Sequence, residues 1–133
     1  MKILIVEDNA LVALDLEQQV TDAGHTVVGI ADTASKAIGL AAEHGADLAL
    51  MDVSLADGSC GIDAALVLKE RFGIPSIFVT ATLPNRPEVR WTGIGHLCKP
   101  YSEEEIVAAI QAVEAALRGK PPRSMPPRLR LFA

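Results

Sequence analysis

Short apolar runs alternate with segments of helical period along most of the chain, and this pattern restricts the fold more than any single residue does. Lys2-Ile-Leu-Ile-Val6 and Leu48-Ala-Leu-Met51 are apolar without polar alternation, as in strands buried on both faces. Residues 26–30, 76–79 and 96–98 supply three further strands. Between the first two strands, Val12, Leu16, Val20 and Ala23 recur on one helical face, with Gly24 just past its end. Thr33 or Ser35 can cap a second helix, through Ala37, Ile38 and Ala41 towards Gly45. A third helix turns Ile62, Ala65, Leu66 and Leu68 inward. Ser102 with Glu105 three residues on is a capping box, and Tyr101 with Ile106 a hydrophobic staple, at the start of a last helix. Strands alternating with helices predict parallel β-α-β units with right-handed crossovers, an α/β doubly wound open sheet.

A length of 133 residues is that of one domain, and a composition that is half hydrophobic supplies a core without disulfides or a structural metal. Cys60 and Cys98 lack C-x-x-C spacing, which argues against zinc and thiol–disulfide chemistry and for a reducing compartment, with one of the two buried in a strand. No apolar run is long enough to span a membrane, so the expected location is the cytoplasm. The net charge of −5 conceals a split. All 17 acids lie before Arg118, together with only seven of the 12 bases. The other five (Arg118, Lys120, Arg123, Arg128 and Arg130) fall among four prolines. An acidic body argues against nonspecific nucleic-acid binding. Residues 119–133 read as a basic, Pro-rich, flexible tail, although Leu129, Leu131 and Phe132 beside Arg128 and Arg130 have the alternation of a strand that could add to a partner or a second copy.

Open α/β sheets bind ligands beyond the C-terminal ends of their strands. Glu7 and Asp8 follow the first strand, Asp52 ends the third, Thr80 follows the fourth and Lys99 the fifth. Each alone has an ordinary explanation, as a loop cap, a helix-start charge, a strand residue or a turn. Together they do not. Three carboxylates at one sheet edge repel unless a cation joins them, and an all-oxygen donor set suits Mg²⁺. The Lys99 ammonium and Thr80 hydroxyl on the other side of Asp52 form a half-site for an anion such as a phosphoryl group.

The run Ile3-Leu-Ile-Val-Glu-Asp-Asn9, then Leu50-Met-Asp-Val-Ser-Leu55 with Asp57-Gly58 and Gly61, then Val79-Thr-Ala81, then Lys99-Pro100, closely resembles the receiver domains of response regulators in two-component signalling. The resemblance covers about residues 1–118. It implies a flavodoxin-like (βα)5 fold, with five parallel strands in the order 2-1-3-4-5. It also implies Asp52 as phosphoacceptor and Asp8 as direct Mg²⁺ ligand. Glu7 would reach the metal through water, and the backbone carbonyl of Ser54 would be a further ligand. Thr80 and Lys99 would grip the phosphoryl oxygens. The donor would be a histidine kinase or a histidine phosphotransfer protein. Output would be phosphorylation-dependent binding to another protein, with a homodimer possible and no DNA-binding domain. A phosphorelay intermediate or phosphate sink is the alternative. Enzymatic activity would be confined to self-phosphorylation and slow self-dephosphorylation.

Two stretches depart from the family pattern. Residues 81–98 are short and carry Pro84, Pro87, Gly93 and Gly95, so the fourth helix is expected to be short, displaced or missing, as in a group of single-domain receivers. His96 stands where receivers commonly carry Tyr or Phe, which makes it a switch candidate beside Thr80 and Tyr101, with its imidazole expected outward before phosphorylation. A turn directly into the capped helix predicts a cis Lys99–Pro100 bond. A phosphoaspartate-type phosphatase would want an acid where Ser54 stands, and a nucleotide- or flavin-binding domain a Gly-rich turn where Glu7-Asp8-Asn9 stands.

Overall fold

In the computed structural model, which describes residues 1–121, 125–126 and 128–132, the apolar runs form β1 (Lys2–Val6), β2 (Thr26–Ala31), β3 (Leu48–Met51), β4 (Ser76–Thr80) and β5 (Gly93–Cys98). The helices are α1 (Ala10–Asp22), α2 (Ala34–His44), α3 (Gly61–Phe72), α4 (Pro87–Thr92) and α5 (Glu103–Leu117). These five strands run parallel in the order β2-β1-β3-β4-β5.

Strand periodicity divides the core in two. On one face Ile3 and Ile5, Leu48 and Leu50, Ile77 and Val79, and Leu97 meet Leu16 and Val20 of α1 and Ile106, Ile110 and Val113 of α5. On the other, Leu4 and Val6, Ala49 and Met51, and Phe78 meet α2, α3 and Val89 of α4. Central strands therefore have no polar face, and each fully buried Ile or Leu among them stabilises the fold by about 1.5–3 kcal/mol.

Helix ends follow local chemistry. Asn9 Oδ1 accepts from the Leu11 and Val12 N–H groups (3.0 and 3.2 Å) and starts α1. Thr33, rather than Ser35, caps α2. Ser102 and Glu105 form the expected capping box on α5, and Tyr101 packs on the core cluster that contains Ile106. The Lys99–Pro100 bond is cis.

A sixth strand adds to the five expected parallel ones. β6 (Leu129–Leu131) adds antiparallel to β5, pairing Leu129 with Leu97 and Leu131 with Gly95. The alternation in the tail is therefore met by β5 of the same chain, while residues 122–124, 127 and 133 lie outside those described. The fourth helix is short, six residues with Pro87 in its first turn. β5 begins three residues earlier than its apolar run suggests. Gly93 and Gly95 are strand residues because close neighbours leave no room for a side chain: a Cβ would lie 2.6 Å from the Phe78 ring at 93 and 2.7 Å from the Arg130 carbonyl at 95. Cys98 ends β5 half-buried, as is Cys60, so neither thiol is enclosed as expected. Among the described residues no helix is long and apolar enough to cross a membrane.

Candidate functional site

Because β1, β3, β4 and β5 are parallel, the residues following them share one edge of the sheet. The ladder continues past the strand ends and fixes the backbone there. Glu7 N–H donates to the Ala31 carbonyl (2.9 Å), Asp52 N–H to Val6 (2.9 Å) and Lys99 N–H to Thr80 (3.2 Å). Glu7, Asp52 and Thr80 are buried, whereas Asp8 is exposed.

Lys99 Nζ donates to Glu7 Oε1 (2.7 Å) and to Asp52 Oδ2 (3.0 Å). The other Asp52 oxygen accepts from the Val53 N–H at 2.7 Å, and Glu7 Oε2 accepts from the Asn9 N–H at 3.2 Å. Burial and the adjacent Asp52 carboxylate push the Glu7 carboxyl up to about 7, against the opposing pull of Lys99. Burial alone would lower the Lys99 ammonium, but its hydrogen bonds to Glu7 and Asp52 outweigh that and hold it above its ordinary value. One ammonium does not neutralise the carboxylates around it.

Glu7, Asp8 and Asp52 offer oxygens that all lie within 4.8 Å of one another. The donors are hard oxygens, and two of the three acids are buried with one ammonium between them, so this cluster fits a divalent cation such as Mg²⁺. Ser54 is exposed on the neighbouring loop, which is closed by hydrogen bonds from Leu55 N–H to the Ser59 carbonyl (3.2 Å) and from Gly61 N–H to the Val53 carbonyl (2.6 Å). Asp57 and Asp63, the other acids near this loop, are engaged elsewhere. Asp57 accepts from both the hydroxyl and the N–H of Ser59, and Asp63 pairs with Arg86 at 2.9 Å.

The Thr80 hydroxyl donates to the Thr82 carbonyl at 3.3 Å. His96 departs from the expected outward pose: it is half-buried, with Nε2 2.9 Å from the Thr80 carbonyl. The imidazole thus finds its partner on the backbone of β4, which removes the need for water at that nitrogen. Tyr101 is half-buried between α1 and the Lys99–Pro100 turn, and burial pushes its phenol up to about 12.

Two positioning residues escaped sequence reasoning. Gly61 appears there only as a motif letter, yet a Cβ at 61 would overlap the Asp52 carbonyl oxygen. Arg128 donates to the Pro100 carbonyl, tying the tail to the turn after Lys99. The glycine spacing after Asp52 signals the first; nothing in local sequence signals the second.

The sequence model for the response regulator receiver domain matches residues 3–111. The phyllosphere-induced regulator PhyR of Methylorubrum extorquens is 39% identical over 115 residues, 82% of this chain and 42% of its own length. The transcriptional regulatory protein PdtaR of Mycobacterium tuberculosis is 32% identical over 120 residues, 88% of this chain and 58% of its own. The chain thus spans about half the length of these curated relatives. The solution structure of the PhyR receiver domain of Erythrobacter litoralis superposes with a TM-score of 0.74 at 35% identity, covering 87% of this chain and 89% of that one. With the doubly wound sheet and its strand-end carboxylates, these matches make the chain a member of the response regulator receiver domain family.

Proposed function

We propose that this receiver domain accepts a phosphoryl group on Asp52 from a phosphohistidine, carried by a histidine kinase or a histidine phosphotransfer protein, and signals by binding another protein once phosphorylated. The observation that carries the reading is the Asp52 carboxylate, buried at the sheet edge between Lys99 and the Glu7–Asp8 pair. Lys99 and the Val53 N–H hold the Asp52 carboxylate in place, one on each oxygen. Its oxygen attacks phosphorus, the new P–O bond forms as the P–N bond breaks, and the electron pair leaves on the imidazole nitrogen, which takes a proton. Asp8, Asp52 and the Ser54 carbonyl would hold Mg²⁺ directly and Glu7 through water. When bound, the ion supplies neutralisation of the charge on the transferring group. Lys99 then passes from the carboxylate to a phosphoryl oxygen, and the Thr80 hydroxyl turns from the Thr82 carbonyl to another. That movement of Thr80 is read out by His96, bonded to the same residue's carbonyl, and by Tyr101. Slow attack by water on the acyl phosphate resets the domain.

Labelled acetyl phosphate tests this reading directly. Wild type should take up label only with a divalent cation present, and Asp52→Ala should take up none. Label that persists in that variant and maps to Asp57 or Asp63 overturns the assignment.

A further inference from the structure

The chain is acidic overall, but one cleft is not. A cavity of about 500 Å³ lies between the segment leading into α4, α4 itself, the end of β5, and β6 with Phe132. Arg86, Arg90, Arg128 and Arg130 all line it, and among the described residues no carboxylate does. Two of the four are engaged. Arg86 pairs with Asp63 and Glu88 (2.9 and 3.5 Å), and Arg128 donates to the Pro100 carbonyl. Among the described residues the other two have no carboxylate partner. The Arg90 guanidinium lies over the Phe132 ring, 5.8 Å from its centre, which leaves the in-plane N–H groups free to donate. Phe132 is fixed in turn by its N–H, which donates to the Ile94 carbonyl at 2.8 Å.

We propose that this cleft binds a small phosphate-bearing ligand with a planar ring, of the size of a mononucleotide. Arg90 and Arg130 supply two guanidinium forks for phosphate oxygens, the charge-assisted geometry in which arginine surpasses lysine. Phe132, which lines the cleft with Arg90 over its ring, offers an aromatic wall for the ligand's ring. The volume lies within the range of small-molecule sites and is larger than one phosphate ion needs. The cleft is separate from the carboxylate cluster at the strand ends, none of whose acids lines it.

The test is a titration of the ¹⁵N-labelled full chain, in chelator and without divalent cation, with GMP, AMP, inorganic phosphate and polyglutamate. A nucleotide should shift the amides of Arg90, Gly95, His96 and Arg130 saturably, and more tightly than inorganic phosphate does. Arg90→Ala with Arg130→Ala should weaken that binding about tenfold or more. Both side chains are exposed, so the fold and the labelling of Asp52 should survive, and the single Arg90→Ala variant, outside β6, checks the loss on its own. Absent or unsaturable shifts, shifts confined to the Asp52 edge, or unchanged affinity in the variants would overturn the proposal. Binding as tight for inorganic phosphate as for nucleotide would refute the ring-bearing ligand, and a response to polyglutamate alone would assign the cleft to an acidic segment instead.

Discussion

Lys99 Nζ is 2.7 Å from Glu7 Oε1, a contact between residues that follow β5 and β1 and are 92 positions apart in the chain. The same ammonium reaches Asp52, so a single cation offsets two buried carboxylates. Replacing Lys99 by Met leaves both without their partner. Removing one member of a buried pair is costly, and Lys99 is about a quarter exposed, so the loss of metal-free stability should be about 1–3 kcal/mol. Urea unfolding in chelator measures it. Adding Mg²⁺ should stabilise Lys99→Met more than wild type, because the ion replaces the missing charge; equal gains would contradict the charge-deficit account of the site.

Gly61 presses α3 against the chain at Asp52. A Cβ there cannot fit beside the Asp52 carbonyl oxygen, so Gly61→Ala must displace either the start of α3 or the backbone at Asp52. Overpacking of this kind costs about 1–3 kcal/mol. The expected outcome is a lower urea midpoint together with reduced Mg²⁺-dependent labelling of Asp52. A variant with wild-type midpoint and labelling would show that the contact relaxes without consequence.

His25 gives a pH dependence away from the carboxylate site. Burial and then the nearby Met1 ammonium, whose nitrogen is 3.0 Å from Nδ1, lower its pKa against a weaker pull from Glu114. The unfolded chain therefore binds the proton more readily than the folded one. The neutral ring contributes stability that is fully present above about pH 6.5 and is lost as pH falls below it. Thermal melts of wild type and His25→Gln from pH 8 down to 5 should converge or cross as wild type loses this advantage. Parallel curves would remove His25 from the pH response.

Much of this architecture is legible in one sequence because burial on both faces writes strands such as β1 and β3 as uninterrupted apolar runs. The same rule exposes the site, since Glu7, Asp8, Asp52 and Lys99 are the polar residues that break those runs at their ends. What stayed hidden depends on contacts distant in sequence. Gly93 and Gly95 read as helix breakers, and only Phe78 and Arg130 explain them as strand residues. The His96 pose is set by the Thr80 carbonyl across the sheet, which no local pattern announces. The alternation at 129–131 was visible, but an alternating segment states that it will pair without stating with what.

β6 answers that question with β5, and the consequences can be measured. Leu129 is buried in the cluster that contains Leu97 and Ile110, while Arg130 points its polarity outward. Leu129→Ala should therefore cost about 2–3 kcal/mol, at the lower end for a core leucine because the site lies near the sheet edge and can partly collapse. Deleting residues 121–133 removes more. The β5 edge loses its antiparallel partner, the Cys98 N–H loses the Arg128 carbonyl at 3.2 Å, and the turn after Lys99 loses the Arg128 side chain. An uncovered edge strand with free N–H and C=O groups is a template for another chain. The truncated protein should melt lower than full length and self-associate with rising concentration in sedimentation velocity, where full length shows no comparable shift. If truncation leaves both the melting temperature and the sedimentation profile unchanged, β6 is a passive cover and the edge of β5 is protected by other means.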